Sequence, residues 1–495
     1  MRGVLVAVAL AALVAVAGVL AATLAAPDPN VLAVADGCER NDSTLIQGRS
    51  PNWARVGDST TKATDPPPPL RSAEGVANAN GLPWYSPHVS GGDLPYSHAG
   101  YDFNLDVLLD PAYADLIGVG NTATAGAESS EAGRLHTERE AQRLPFFSWP
   151  EPGDRVRLLG YWVWDCDHYQ PAGERTELHP IVGLWVQRKW SPNSPTRETE
   201  ADLYLTTDKT TAGKQSDCAH KTKHDQTAFK ACLAAEPDYV DIGGIYKYAL
   251  TLPPSARGRR KVVRIVDMGS VNRPPIPVAT TEGPLNSAGI AFVIPHDGKR
   301  HVVALRVFAR WAGSRARALH YRVSVEKVLI RRTMDPACLP ERTAPCGTPQ
   351  TTREDQVSHG PAGEWNFYWS VGGRWSLWRP SVFRPRNGQT IRPNVSTDLW
   401  VPHGKRWRVF VWPRECDWGT LALGGSGALV PCPKQGEAGV RAGDDVPGGT
   451  LKTFTAGARI EGTHTLADLW GIGSCPRAAN PKGCYEATIR VRRIR

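Results

Sequence analysis

The stretch that most restricts the fold runs from Trp149 to Lys189, because its side chains alternate with the two-residue period of a strand, reverse, and alternate again. Between Asp154 and Asp165, Val156, Leu158, Trp162 and Trp164 share one face, while Arg155, Arg157 and Asp165 share the other. A loop containing Gln170, Pro171, Ala172 and Gly173 separates this strand from a return strand rich in Ile, Val, Leu and Trp, Arg175 to Arg188. The pattern predicts one long β-hairpin. It also places Asp165, Asp167 and His168 near the same hairpin end as Glu177 and His179, more ionisable groups than a core needs.

The rest of the chain agrees with β structure. Seventeen Trp against three Met, with 48 Gly and 41 Pro in 495 residues, suit short strands joined by many turns. The expected fold class is all-β, two antiparallel β-sandwich domains joined by a Pro/Cys-rich connector. Residues 1–26 read as a signal peptide or N-terminal anchor, 27–80 as a polar Pro-rich tail, 81–332 as the first sandwich, 333–362 as the connector and 363–495 as the second sandwich. In the second sandwich Gly372-Gly373 lies between the strand patterns Trp365–Val371 and Trp375–Trp378, a hairpin signal.

Arg2 followed by an uncharged apolar run from Val4 to Ala26 and then Pro27 has the layout of a secretory signal. The run is also long enough to span a bilayer if uncleaved, so contact with a membrane is expected only through this segment. Candidate cleavage sites lie near Thr23 to Ala26 and at Ala33-Val34-Ala35. All ten Cys lie beyond the run and no C-x-x-C occurs, which predicts disulfides and an extracytoplasmic location, secreted or in the cell envelope. Spacing suggests Cys218 with Cys232, Cys338 with Cys346, Cys416 with Cys432 and Cys475 with Cys484, leaving Cys38 with Cys166. The net charge of +9 is spread along the chain without a basic block or a recognised module, so nucleic acid is not an expected partner. The expected partner is a surface ligand or cell-envelope component.

Candidate chemistry comes from three consecutive segments. In the first, Phe103, Leu105 and Val107 alternate with Asp102, Asn104 and Asp106, so one strand face presents oxygen ligands, and His98 lies just before it. In the second, His136, Glu138 and Glu140 share a face, and the hairpin supplies Asp165, His168, Glu177 and His179. Imidazole with carboxylate oxygen suits a divalent transition metal, and an H-x-E strand beside an E-x-H strand would aim ligands at one point. For each His the plainer alternative is a hydrogen bond to backbone at a hairpin end, and for Glu177 a salt bridge to Arg175 or Arg155. In the C-terminal region Asp444 and Asp445 are calcium candidates, with solvated turn carboxylates as the plainer alternative.

D-F-N, G-x-L-x-x-E-x-E, W-P-x-x-G-D-x-V, G-x-W-x-x-D-x-x-H and T-E-L-H-P, in this order between Tyr96 and Lys189, resemble the motif series of a group of largely uncharacterised secreted bacterial proteins. The resemblance implies Asp102, Glu138, Asp165, His168, Glu177 and His179 as the shared set. The chain departs from the series with Tyr101 in place of His, and with His136 where a hydrophobic residue is more usual.

No G-x-S-x-G elbow, phosphate-binding glycine loop, dinucleotide fingerprint or H-E-x-x-H helix occurs. Two function classes remain. One is an exported, disulfide-stabilised protein that binds a metal or surface ligand without catalysis. The other is a metal-dependent hydrolase, with His179, His168 and Glu177 or Asp165 on the ion and Glu138 as general base.

Overall fold

The computed structural model describes residues 53–55, 70–77, 88–89, 102–122, 133–140, 144–170, 173–196, 198–209, 213–214, 217–218, 226–253, 260–272, 278–280, 286–313, 317–332, 365–378, 388–415, 419–420, 429–430, 450–468 and 484–494. The first strands are β1 (Trp53–Arg55), β2 (Arg71–Ala77), β3 (His88–Val89), β4 (Asp102–Leu109), β5 (Leu135–Glu140), β6 (Arg155–Gln170), β7 (Gly173–Gln187) and β8 (Thr199–Thr206). One α-helix (Gln226–Ala235) precedes β9 (Gly244–Thr251), β10 (Lys261–Asp267), β11 (Val278–Thr280), β12 (Ser287–Ile294) and β13 (Val302–Trp311). The C-terminal strands are β14 (Leu319–Arg332), β15 (Trp365–Val371), β16 (Arg374–Trp378), β17 (Thr390–Ile391), β18 (Val395–Val401) and β19 (Arg406–Glu415). They end with β20 (Gly419–Thr420), β21 (Leu429–Val430), β22 (Thr450–Thr455), β23 (Gly462–Asp468) and β24 (Cys484–Ile494). The chain is all-β, as its turn-rich, Trp-rich composition predicts. Among the described residues no helix is long and apolar enough to cross a membrane.

The long hairpin forms as β6 and β7, and a barrel closes around it. From β6 the pairing runs through β2, β4, β5 and β7 and returns to β6, a closed ring of five strands. All of its pairings are antiparallel except β5 with β7, where His136 lies opposite Glu177 and Thr137 opposite Leu178 in parallel register. This corrects the expected first sandwich. β7 can serve both the barrel and a wider sheet because its C-terminal half leaves β5 and pairs with β8, to which β13 and β10 add in turn. Register shifts where Gly160 and Trp162 meet Ile181 and Leu178 bend the hairpin at that branch.

Ala73, Phe103, Leu105, Leu135, Val156, Leu158, Leu178 and Leu184, drawn from all five strands, fill the barrel. β2, which lies within the expected polar tail, is made for this crowded interior. Its inward positions Ala73, Gly75 and Ala77 are small, and a Cβ on Gly75 would lie 2.2 Å from the Leu108 carbonyl oxygen. A three-stranded sheet, β11-β12-β9, packs Tyr248, Leu250, Ile290 and Phe292 over Trp185, Leu203, Leu205 and Leu305 of the extension. The excursion between β8 and β9 carries the Cys218–Cys232 disulfide expected from spacing. The other proposed cysteine pairs lie outside what the described side chains cover.

The expected second sandwich is likewise corrected: the C-terminal region is one continuous nine-stranded sheet, β16-β15-β19-β22-β23-β24-β14-β17 with β18 also on β14, with a core of Val323, Phe367, Trp369, Trp407, Val409 and Ile489. The β15–β16 hairpin turns at Gly372-Gly373 as predicted. β14 departs from expectation: it pairs with β24, β18 and β17 rather than completing the first sheet. Its 14 residues bury Tyr321, Val323, Val325, Val328 and Ile330 in the C-terminal core. The Pro/Cys-rich connector lies outside the described residues.

The two regions meet on aromatic rings. Trp149 is fully buried, with Phe103 and Phe146 each 4.8 Å away between centroids on its own side and Tyr368 and Trp375 at 6.0 and 5.7 Å from the C-terminal sheet. Truncating a buried Trp of this kind costs about 3–5 kcal/mol.

Candidate metal centre on the barrel wall

Alternation sends Phe103, Leu105, Leu135 and Leu178 into the barrel, so Asn104, Asp106, His136, Glu138, Glu177 and His179 project from the opposite face of the same strands. Register then gathers them. Asp106 lies opposite His136, which lies opposite Glu177, and Asn104 lies opposite Glu138 one step along. Side chains opposite one another on adjacent strands begin only about 5 Å apart, within easy contact.

The result is a continuous polar chain. His136 Nδ1 is 2.8 Å from Asp106 Oδ1, and its Nε2 is 2.9 Å from Asn104 Oδ1 and 2.8 Å from Glu138 Oε1. The other oxygen of Glu138 is 3.2 Å from His179 Nδ1, which is also 3.1 Å from Glu177 Oε1. Asp106, His136, Glu177 and His179 are buried, whereas the Glu138 side chain retains 13% exposure. A sheet face exposed to water would hold its charges apart. This one holds two imidazoles between three carboxylates.

Both ring nitrogens of His136 face carboxylate oxygens, an arrangement that only the doubly protonated ring satisfies with two donors. Burial and the Arg175 guanidinium oppose the charged form, yet hydrogen bonds to Asp106 and Glu138 hold its pKa well above the ordinary 6.5. In the metal-free protein the proton on Nε2 therefore occupies the place that a cation would take. One ligand atom each from His136, Glu138 and Glu177 lies within 4.8 Å of the others. Zinc–nitrogen and zinc–oxygen bonds of about 2.0–2.2 Å require ligand atoms roughly 3.5 Å apart, so an ion would open the 2.8 Å contact of His136 with Glu138 by a fraction of an ångström and would need no refolding. One imidazole with two carboxylates suits zinc, manganese or iron rather than calcium.

Glu138, Glu177, His179 and His136, singled out from sequence, are thus brought together, and Asp106 and Asn104 join them. The sequence placed these last two on the oxygen-bearing face with Asp102, but the register that selects them depends on β4 pairing with β5, which no local pattern gives. Asp102 is in β4 opposite Glu140, and Asp165 is in β6 opposite Arg175 and Trp53. His168 is also in β6; the side chains of these three residues lie outside the description. His98, Asp444 and Asp445 lie outside the described residues.

A second set of metal-type side chains, Cys218, Cys232 and Glu236, is excluded as a centre because the two sulfurs are joined to each other. Glu236 instead accepts from Lys209 Nζ at 2.8 Å, and Asp217 accepts from the same ammonium at 2.5 Å.

In comparisons with known proteins, no family model matches the chain and no curated protein matches it. Among solved structures, human GIVD cytosolic phospholipase A2 aligns over 86% of this chain and 32% of its own, at 7% identity and a TM-score of 0.17. The chain spans about a third of that structure, and a likeness this weak bears on neither fold nor activity.

Proposed function

We propose that this is an exported, disulfide-stabilised β protein of the cell envelope or extracellular space that binds a divalent transition metal through His136, Glu138 and Glu177, with His179 beside them. The observation that carries this reading is the convergence of three ligand atoms within 4.8 Å on a buried face shared by β4, β5 and β7. Asp106 supports it as the carboxylate behind His136, since its contact at Nδ1 fixes the ring with Nε2 toward Glu138. Burial favours a site built to hold an ion. A second reading, a metal-dependent hydrolase, draws on the residual exposure of Glu138, the one carboxylate of the group through which a water could reach the ion.

The test is metal content by plasma mass spectrometry on the purified protein, beside a Glu177→Ala, His179→Ala double variant and the milder Glu177→Gln. A stoichiometric transition metal that falls in both variants supports the proposal. No metal in the parent, with thermal stability unchanged on adding zinc or manganese, overturns it and leaves a hydrogen-bonded network closing the barrel. Hydrolase activity would be screened only on metal-loaded protein.

A further inference from the structure

The second site arises where the C-terminal sheet separates from the barrel. Along the barrel-facing side of β19 come Phe410, Arg408 and Arg406. Phe410 packs in the shared core, with its ring 5.6 Å from Trp375. Two residues back the apolar contact ends, and Arg408, opposite Thr453 of β22, faces a cleft of about 540 Å³. The opposite wall is the segment around Glu151 and the end of the hairpin, Lys189 and Trp190.

The cleft is held open by the β15–β16 turn. Gly372 and Gly373 have φ of +57° and +82°, a region that favours glycine. A Cβ on Gly372 would lie 2.9 Å from the Trp190 ring, and one on Gly373 would lie 3.3 Å from Glu151 Cγ. The turn therefore touches the barrel wall with no side chain to fill the space beside it.

Charge in the cleft is unbalanced. Among the described residues, the side chains of Lys405, Arg406 and Arg408 make no hydrogen bond or ion pair, while Lys189 Nζ reaches only the Pro152 carbonyl. Asp154 offers them little, because its oxygens already accept from Arg188 Nη1 and from the Glu151 and Lys189 backbone N–H groups. Glu151 is the remaining acid, and burial pushes its pKa up to about 7, so it is a weak counter-charge near neutrality.

We propose that this cleft binds a small organic polyanion bearing phosphate or sulfate ester groups. Guanidinium forks match the oxygen geometry of such groups, and the volume suits a ligand larger than one oxyanion. The site is independent of the metal centre, which lies on the other side of the barrel wall strands from the apolar interior.

The test is isothermal titration of the full chain with sodium pyrophosphate and, separately, sucrose octasulfate, in EDTA at about 50 mM salt. The arms separate phosphate from sulfate recognition. One or both should bind at one-to-one stoichiometry, and Arg408→Gln should weaken binding about tenfold or more, since a charge-assisted contact is lost. Arg406→Gln, at an exposed position, should weaken binding in the same direction even if Arg408→Gln failed to fold. Lys247→Gln, on an exposed strand of the outer sheet, should leave it unchanged. Absence of saturable heat with both probes, or equal effects of Lys247→Gln and Arg406→Gln, would overturn the assignment.

Discussion

Replacing Glu151 with Gln should stabilise the protein above neutral pH and leave it unchanged in acid. Glu151 begins the tight turn before β6, where its N–H donates to Asp154 Oδ2 at 2.8 Å and so holds two carboxyls near one another. Burial, then the Asp154 charge, raise its pKa from 4.5 to about 7, against the opposing pull of Arg408, Lys189 and Arg188. A carboxyl whose folded pKa exceeds its unfolded value favours the fold while protonated. That advantage is complete below 4.5 and is lost as pH rises through 7. The shift of roughly 2.5 pK units sets a ceiling of about 3.4 kcal/mol at 1.36 kcal/mol per unit. Because the residue is only half-buried, water screens part of the unfavourable charge, and we expect about 1–2 kcal/mol. Urea denaturation of parent and Glu151→Gln near pH 4 and near pH 8, in buffers free of phosphate and sulfate, reads the difference directly. A difference that does not grow between those pH values, or a variant less stable than the parent at the higher one, would refute the reasoning.

Two further substitutions test the buried polar architecture. Arg188 bonds both Asp202 and Asp154 and the carbonyl oxygens of Trp149 and Phe147, so Arg188→Met should leave buried Asp154 without its cation and Asp202 with Arg306 alone, and cost about 3 kcal/mol in urea denaturation; a loss under about 1 kcal/mol would contradict it. Asp106→Asn keeps an acceptor near His136 but removes the charge behind it, so competition with a zinc-sensitive dye should show affinity about 10–100-fold weaker, and an unchanged affinity would detach Asp106 from the metal centre.

The parts of the fold legible in the sequence are those set by near neighbours. The hairpin announced itself because β6 and β7 are adjacent in the chain, and the H-x-E and E-x-H faces followed from alternation. Barrel closure was not legible, because it depends on β5 lying parallel to β7 across about forty residues of chain, with no local pattern to mark it. β2 was hidden for a different reason. The segment Arg71–Ala77 follows Pro66–Pro69 and reads as the end of a polar Pro-rich tail, yet its small residues Ala73, Gly75 and Ala77 are what a narrow barrel requires where strands crowd. β14 carried a clear strand pattern, but its main partner, β24, lies some 160 residues onward, and alternation specifies a face without specifying a neighbour.

The position of the polar cluster ties the proposed metal to the barrel itself. The β5–β7 pairing is a short parallel seam, and the ring closes there. Glu138 on β5 contacts His179 on β7 across it, and His136 lies opposite Glu177. An ion held by His136, Glu138 and Glu177 would therefore bond both sides of the junction with the least backbone pairing, and its binding energy would act as closure energy. At a hundredfold excess over its dissociation constant such an ion stabilises by about 2.7 kcal/mol. Hydrogen exchange should then slow on zinc addition at the β5 amides and the first half of β7, with little change in β19, β22 and β24. Protection spread evenly over both regions would point to global stabilisation from an ion bound elsewhere. Protection confined to the seam would mean that the carboxylates and imidazoles buried on this barrel wall give a weak join its strength only when the cation is present.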